Sequence, residues 1–273
     1  NNTKLYYFVL KAKKNSIFAT LKIKIKRFMF NFFRKKTNAK LFYSTDVHCH
    51  ILPGVDHGAK DLNNAIELIK AQMDMGINQI ILTPHITKST FENNPDTIKA
   101  AYEVFCKAME TSGLDVKFAV SAEYRLDEFS LAQFGKDIFI PMPDEHILIE
   151  NAYQQERLDL DDIIFDLQLK NFTPIMAHPE RFPYYTDRKE RFKQLHNAGA
   201  LFQVNLMSFT GYFGRRALSN AEWLLNNDLI DFLGSDIHNM EHVEIIRDFI
   251  KTKDYRRIAK KLEGRILNDK FNF

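Results

Sequence analysis

From residue 42 onward, short apolar runs alternate with longer amphipathic ones. The stretch "FYSTDVH" reads as a strand, and "DLNNAIELIKAQMDMG" as a helix, with Leu62, Ile66, Ile69 and Met73 on one face and Gly76 at its end. "NQIILTPH" is a strand stopped by Pro84, and "NPDTIKAAYEVFCKAMETSG" a helix with Pro95 near its start and Gly113 after its end. The alternation continues through strands "DVKFAVSAE", "EHILIE", "FTPIMAHPE", "ALFQVNL" and "LIDFLGSD". The intervening and closing helices are "LDDIIFDLQLKNF", "RKERFKQLHNAG", "RRALSNAEWLLNND" and "EHVEIIRDFIKT". Runs such as Ile80-Ile81-Leu82 and Ile147-Leu148-Ile149 suit parallel strands buried on both faces. Seven strands separated by helices predict an α/β protein, a barrel of about seven βα repeats. An open nucleotide-binding sheet lacks its main motif, because no glycine-rich phosphate loop follows the first strand.

In a βα barrel the site forms where the strands end. Here the strand ends carry His48 and His50, His85, Glu123, Glu150, His178, Asn205, and then Asp236 with His238 just beyond. A lone histidine after a strand is ordinarily a loop residue. Six of seven strand ends bearing His, Asp or Glu are a pattern, and the pattern predicts a metal centre. Alternate residues on a strand share a face, so His48 and His50 can hold one ion together while Cys49 points away. Imidazoles and carboxylates without thiolate suit Mn²⁺, Fe²⁺ or Zn²⁺. About eight such ligands exceed what one catalytic ion needs, so two or three ions are expected. Clusters of this kind clamp phosphoryl oxygens and acidify a bound water. Arg181, in "AHPER", adds a guanidinium matched to phosphate, the plainer alternative being a surface pair with Glu180 or Asp187.

Composition narrows the functional classes. Of 273 residues, 45% are apolar and 27% charged, enough for a sizeable core. Residues 1–40 hold 12 Lys or Arg and no acidic residue, leaving 26 basic against 35 acidic residues, a net of −9, in 41–273. The expected organisation is a basic N-terminal arm, 1–40, before one catalytic domain, 41–273. The arm is either a solvated terminus or a peripheral contact with anionic lipid. Met29 is a plausible natural start, so residues 1–28 are expected to lie outside the fold. An acidic body offers no backbone-binding face for nucleic acid. Two cysteines, Cys49 and Cys106, give no disulfide framework and fit the cytoplasm. No apolar run approaches the ~18 residues needed to span a bilayer.

The motifs "DVHCHILPGVDHG", "TPH", "AEYRLDE", "ILIE", "QLKNFTPIMAHPER", "FQVN", "FTGYFG" and "SDIHN" occur in an order that resembles the bacterial PHP-type (CpsB/CapC-like) tyrosine-protein phosphatases of capsule and exopolysaccharide loci. The resemblance runs from about Asp46 to Phe249. It implies a distorted (β/α)7 TIM-like barrel, the PHP fold, holding three ions, usually Mn²⁺. The implied activity is metal-dependent hydrolysis of phosphotyrosine, on a membrane-associated tyrosine kinase governing polysaccharide export. By position, His48, His50, Glu123 and Asp236 would hold the first ion, and Glu123, Glu150 and His178 the second. His85, His238 and the "VDHG" turn would hold the third. Arg181 would contact phosphate, and His238 is a candidate acid for the leaving group. Two departures stand out. His57 replaces the family's second Asp in Asp-Asp-Gly, the alternative being that Asp56 turns inward. A second family arginine past "SDxHN" is absent, where Glu241, His242 and Val243 stand, so phosphate binding rests on Arg181, or on Arg125 or His242.

Rival readings remain. One is a histidinol-phosphatase-like enzyme of the same superfamily, another a nuclease, and another a regulatory module impaired at His57. A thiol phosphatase needs an arginine six residues after its cysteine, and Val55 stands there after Cys49.

Overall fold

The computed structural model describes residues 39–273 apart from 135, 137 and 138. The basic arm and the suggested start at Met29 fall outside the described residues, save for the arm's last two positions.

Among the described residues, nine strands fill seven positions of a distorted barrel. They are β1 (Thr45–Cys49), β2 (Gln79–Leu82), β3 (His85–Ile86), β4 (Lys117–Val120), β5 (Glu123–Arg125), β6 (His146–Glu150), β7 (Thr173–Ala177), β8 (Leu201–Asn205) and β9 (Phe232–Gly234). All pair in parallel, in two sheets ordered β1-β2-β4 and β3-β5-β6-β7-β8-β9. The second and third positions are each broken in two. Pro84 has no N–H to donate, so β2 stops before it, as the sequence predicts, and pairing resumes beyond it as β3. The joint is carried by Thr83 N donating to Cys49 O (3.0 Å), Ser121 N to Leu82 O (2.8 Å) and Glu123 N to Pro84 O (3.0 Å). On the far side, Asp236 N donates to His48 O (2.8 Å) and His50 N to Ile237 O (3.0 Å), which brings the last position against the first.

The helices on the outside are α1 (Leu62–Asp74), α2 (Pro95–Glu110), α3 (Glu128–Phe134), α4 (Leu160–Leu169), α5 (Glu190–Asn197), α6 (Arg215–Asn226), α7 (Met240–Phe249) and α8 (Lys253–Leu262). Local chemistry sets their starts. Asp61 caps α1 by accepting from Asn64 N, and Asn94 closes a capping box at α2 with Pro95 in the first turn. The seven-repeat reading omits α3 and α8. In α8 only Tyr255, Ile258 and Leu262 are buried amid charged neighbours, a stripe too thin to stand out in composition. No described helix is long and apolar enough to cross a membrane.

Two apolar cores result. The larger lies between strands and helices and includes Cys49, Ile80, Leu82, Ile147, Ile149, Phe202 and Leu233. The smaller fills the barrel with Val47, Ile81, Leu148, Ile175, Ala177 and Phe232, joined by Phe271. This inner plug blocks the barrel below the strand ends, so the polar strand-end residues above it line a closed-bottom cup.

The end of α5 is tied to the last barrel strand by His196 Nε2, 3.1 Å from Asp231 Oδ2. The hydrogen bond that His196 donates to Asp231 raises the histidine pKa against partial burial. A raised histidine stabilises the fold fully below its unfolded pKa of about 6.5, and loses that contribution as pH rises through the folded value. The expected cost of His196→Gln is about 0.5 kcal/mol at pH 6. It should shrink toward zero by pH 8.5, read as converging urea midpoints. A gap that widens with pH would refute this.

Candidate metal centre

The residues at the cup's rim are held by a network that fixes which atoms face inward. His48 Nδ1 lies 2.6 Å from Gln203 Oε1, which also accepts from His178 N (3.3 Å). An amide oxygen only accepts, so His48 carries its proton on Nδ1 and turns the Nε2 lone pair inward. His50 Nδ1 likewise donates to Asp56 Oδ2 (2.7 Å), which also accepts from His85 N (3.1 Å). Asp56 therefore turns inward as an orienting group. Burial opposes its negative charge, but His50 stabilises that charge and holds the carboxyl below the usual range. Such carboxylate–histidine pairs are how metal-ligating rings are aimed.

The inward atoms crowd together. His48 Nε2 and His50 Nε2 are 3.2 Å apart. Glu123, fully buried, lies with Oε2 2.9 Å from His85 Nδ1, 3.4 Å from His48 Nε2 and 3.5 Å from His50 Nε2, while Oε1 is 2.9 Å from His178 Nε2. These nitrogens come to contact distance without hydrogen-bond alignment, and both Glu123 oxygens lack a donor. Buried His85 Nδ1 and His238 Nε2 also lack hydrogen-bond partners. Polar atoms are seldom buried unsatisfied, and here they converge. Among the described residues, donor atoms lie within 4.8 Å of one another in four groups: His48–His50–Asp236, His48–Glu123–His178, His85–Glu123–Glu150 and His50–His85–His238. Lone pairs facing lone pairs, with carboxylates among them, are a donor set suited to first-row divalent cations. The residues fit divalent metal.

Two arginines aim the outer carboxylates. Arg125 NH1 binds Glu150 Oε2 (2.6 Å), and Arg181 NH1 binds Asp236 Oδ2 (2.7 Å). The opposite oxygen of each looks toward the cluster, Asp236 Oδ1 lying 3.3 Å from His50 Nε2. Asp236 Oδ2 also accepts from Asn205 Nδ2 (2.8 Å), whose Oδ1 accepts from Gln203 Nε2 (2.9 Å). Burial opposes the Asp236 charge, but His50, His48 and Arg181 outweigh it and hold its pKa well down. Burial also opposes protonation of His48 and His50, yet Glu123 and Asp236 raise the first, and Asp56 and Asp236 the second.

His238 behaves oppositely. Burial and the neighbouring His50 push its pKa far down. Its Nδ1 lies 2.9 Å from the Asp236 carbonyl, so Nε2 is a neutral lone-pair donor rather than the acid suggested by the sequence. His57 is the outlying ring. It stacks on His238 at 4.4 Å and on His85 at 4.9 Å, but belongs to none of the four groups. Cys49 is buried in the outer core with its thiol pushed well up by burial, so it cannot serve as a nucleophile.

Several positioning residues are silent in the sequence reading. Asp46 accepts from Ser235 N (3.0 Å) and Gln72 Nε2 (2.6 Å), tying β1 to β9 and α1. Glu180 Oε1 accepts from Asn205 N (3.0 Å) and Ser208 Oγ (2.6 Å), and so fastens the turn that presents Arg181. A glutamine in the buried strand "FQVN" was the available signal for Gln203. The chain also bends sharply at two inward residues: His178 has φ 32° and Asp236 φ 50°. These left-handed corners turn the side chains over the rim.

Above the cluster is a pocket of about 460 Å³ lined by His57, His85, His178, His238, Arg125 and Arg181, with aromatic walls from Tyr153, Tyr212 and Phe213. The Arg181 guanidinium lies 4.2 Å from the Phe213 ring centroid and 5.5 Å from that of Tyr153. Burial opposes its charge and Asp236 restores it. It is thus a site group, not a surface partner of Glu180 or Asp187.

Fold and site together define a class: an α/β barrel with a histidine–carboxylate cluster suited to divalent metal at its strand ends. The model of the family "Capsular polysaccharide synthesis, CpsB/CapC" matches residues 44–266, and the chain belongs to that family. It is 30% identical over 197 residues to the tyrosine-protein phosphatase YwqE of Bacillus subtilis, covering 72% of this chain and 78% of YwqE. It is 26% identical over 232 residues to the tyrosine-protein phosphatase CpsB of Streptococcus pneumoniae, covering 80% and 93%. A solved structure from the work on those two proteins, described as metal-dependent tyrosine phosphatases, matches with a TM-score of 0.68 at 27% identity, over 82% of this chain and 94% of the other.

Proposed function

We infer that the chain is a metal-dependent protein-tyrosine phosphatase acting in capsule or exopolysaccharide synthesis. The observation that carries this is the pairing of a convergent imidazole–carboxylate cluster with an arginine stacked between aromatic rings in the pocket above it. Membership of the CpsB/CapC family supports the same reading.

Divalent ions held by His48, His50, His85, Glu123, Glu150, His178, Asp236 and His238 would neutralise phosphoryl oxygens and supply an acidified water. The chain's own residues do the rest. Arg181, fixed through one nitrogen to Asp236, keeps its other N–H groups for a phosphoryl oxygen. Phe213 and Tyr212 flank a slot suited to an aryl phosphate, whose phenolate departs without needing a proton from the neutral His238. Manganese, two or three ions per chain, is the proposed cofactor. The proposed substrate is a phosphotyrosine on a membrane-associated tyrosine kinase.

Parallel assays of a phosphotyrosyl peptide and histidinol phosphate test the class. Preference for the peptide, abolished by chelation and restored by Mn²⁺, is expected; preference for histidinol phosphate, or activity surviving chelation, would overturn it. Arg181→Lys keeps a charge but loses the planar fork. It should lower kcat/KM for the peptide about 10- to 100-fold, and an unchanged value would remove Arg181 from phosphate binding.

A further inference from the structure

We propose that the Tyr153 hydroxyl is a further substrate-binding group, donating a hydrogen bond to a phosphoryl oxygen of the bound phosphomonoester; this rests on the phosphatase reading. Tyr153 follows Glu150 by three residues, in the loop that leaves β6 at the cup's rim. Its ring is part of the pocket wall, packed edge-on against Phe182 with centroids 5.3 Å apart. Two guanidiniums face that ring, Arg125 at 5.6 Å and Arg181 at 5.5 Å. The Tyr153 ring thus packs against both of the cations that orient Glu150 and Asp236.

What singles it out is an unmet hydrogen bond. The Tyr153 hydroxyl is buried and has no partner among the described residues. Other tyrosines are satisfied: Tyr124 OH accepts from Ile140 N (2.7 Å), Tyr102 OH donates to Phe118 O (2.8 Å), Tyr184 OH donates to Ala152 O (3.0 Å), and Tyr185 OH accepts from Asn151 Nδ2 (3.3 Å). A buried phenol ordinarily finds a partner, because stranding it costs the hydration it had in the unfolded chain. Burial raises the Tyr153 pKa further above its ordinary value, so the group stays a donor through the neutral range. A donor on a ring that lines the pocket wall and lies against two arginines calls for an anionic acceptor. A phosphomonoester held at Arg181 brings phosphoryl oxygens to that point, and they accept strongly because they are charged.

Tyr153→Phe tests this with the ring, and hence the packing against both arginines, kept. In the metal-loaded full chain, the variant should bind inorganic phosphate about tenfold more weakly by calorimetry. It should turn over phosphotyrosyl peptide with kcat/KM lowered about 10- to 100-fold. Metal content and Tm should match the parent. Wild-type phosphate affinity in the variant would overturn the proposal while leaving the phosphatase reading intact. Loss of metal would also overturn it, assigning Tyr153 to the scaffold. If the parent chain hydrolysed no phosphotyrosine, yet its phosphate affinity depended on Tyr153, the phosphatase reading would fall and the hydroxyl would stand as an oxyanion donor.

Discussion

Glu123→Gln should cut peptide turnover by on the order of 10³ and lower the number of ions retained per chain. Ligand-orienting neighbours alone are worth about 10- to 100-fold, and Glu123 stands closer to the centre than any of them. Its carboxylate is the hub of the cluster: four imidazoles approach its two oxygens, and it belongs to two of the four donor groups. The amide has nearly the same shape, so packing is preserved. It replaces one acceptor by a donor that would face imidazole nitrogens, and it removes the negative charge that offsets the cations. Burial opposes that charge, but His85 and His48 pull the Glu123 pKa well down, so glutamine mimics a protonation state the site avoids. Metal analysis beside a phosphopeptide assay reads both effects; near-normal turnover with full metal content would show that Glu123 is not the hub. Loading should also release protons from His48 and His50, whose pKa values lie above the ordinary range, so retention of ions should weaken as pH falls.

Gly58→Ala is expected to lower stability by about 2–4 kcal/mol and displace His50. A Cβ at residue 58 would lie 1.9 Å from the His50 carbonyl oxygen and 2.6 Å from His50 Cβ. Neither contact is with the end of a flexible chain, so backbone must move. The same turn is closed by Ala59 N donating to His50 O (2.9 Å) and Gly58 N donating to Asp56 Oδ1 (2.8 Å). Opening it therefore frees Asp56, the group that fixes the His50 tautomer. The thermal midpoint should fall by about 5–15 °C, and affinity for Mn²⁺ should fall with it. A variant as stable as the parent would mean that the "VDHG" turn does not brace the centre. Gly234 is comparably tight, against Gln203 and His48.

Much of this was legible in the chain. The barrel follows from alternating strand and helix periods, and the eight residues of the cluster stand at strand ends because those ends share one rim. What escaped is of two kinds. The stop at Pro84 was legible, but the resumption of pairing just past it was not, because β3 is defined by its partner β5, nearly forty residues away. The supports also escaped, because each is defined by a partner distant in sequence: Gln203 by His48, Asp46 by Ser235, Glu180 by Ser208. His57 looked like a ligand by type and neighbourhood. The turn instead delivers Asp56 inward and leaves His57 stacked at the edge.

The left-handed corners at His178 and Asp236 narrow the ways this centre can drift. Most side chains lose about 1–2 kcal/mol there, whereas Asp, Asn and His tolerate it best. Imidazole and short carboxylate can therefore trade places at these two positions at little conformational expense, while glutamate cannot. A lineage shifting its preferred cation would find its cheapest substitutions at the corners, with the straight-strand donors left as they are.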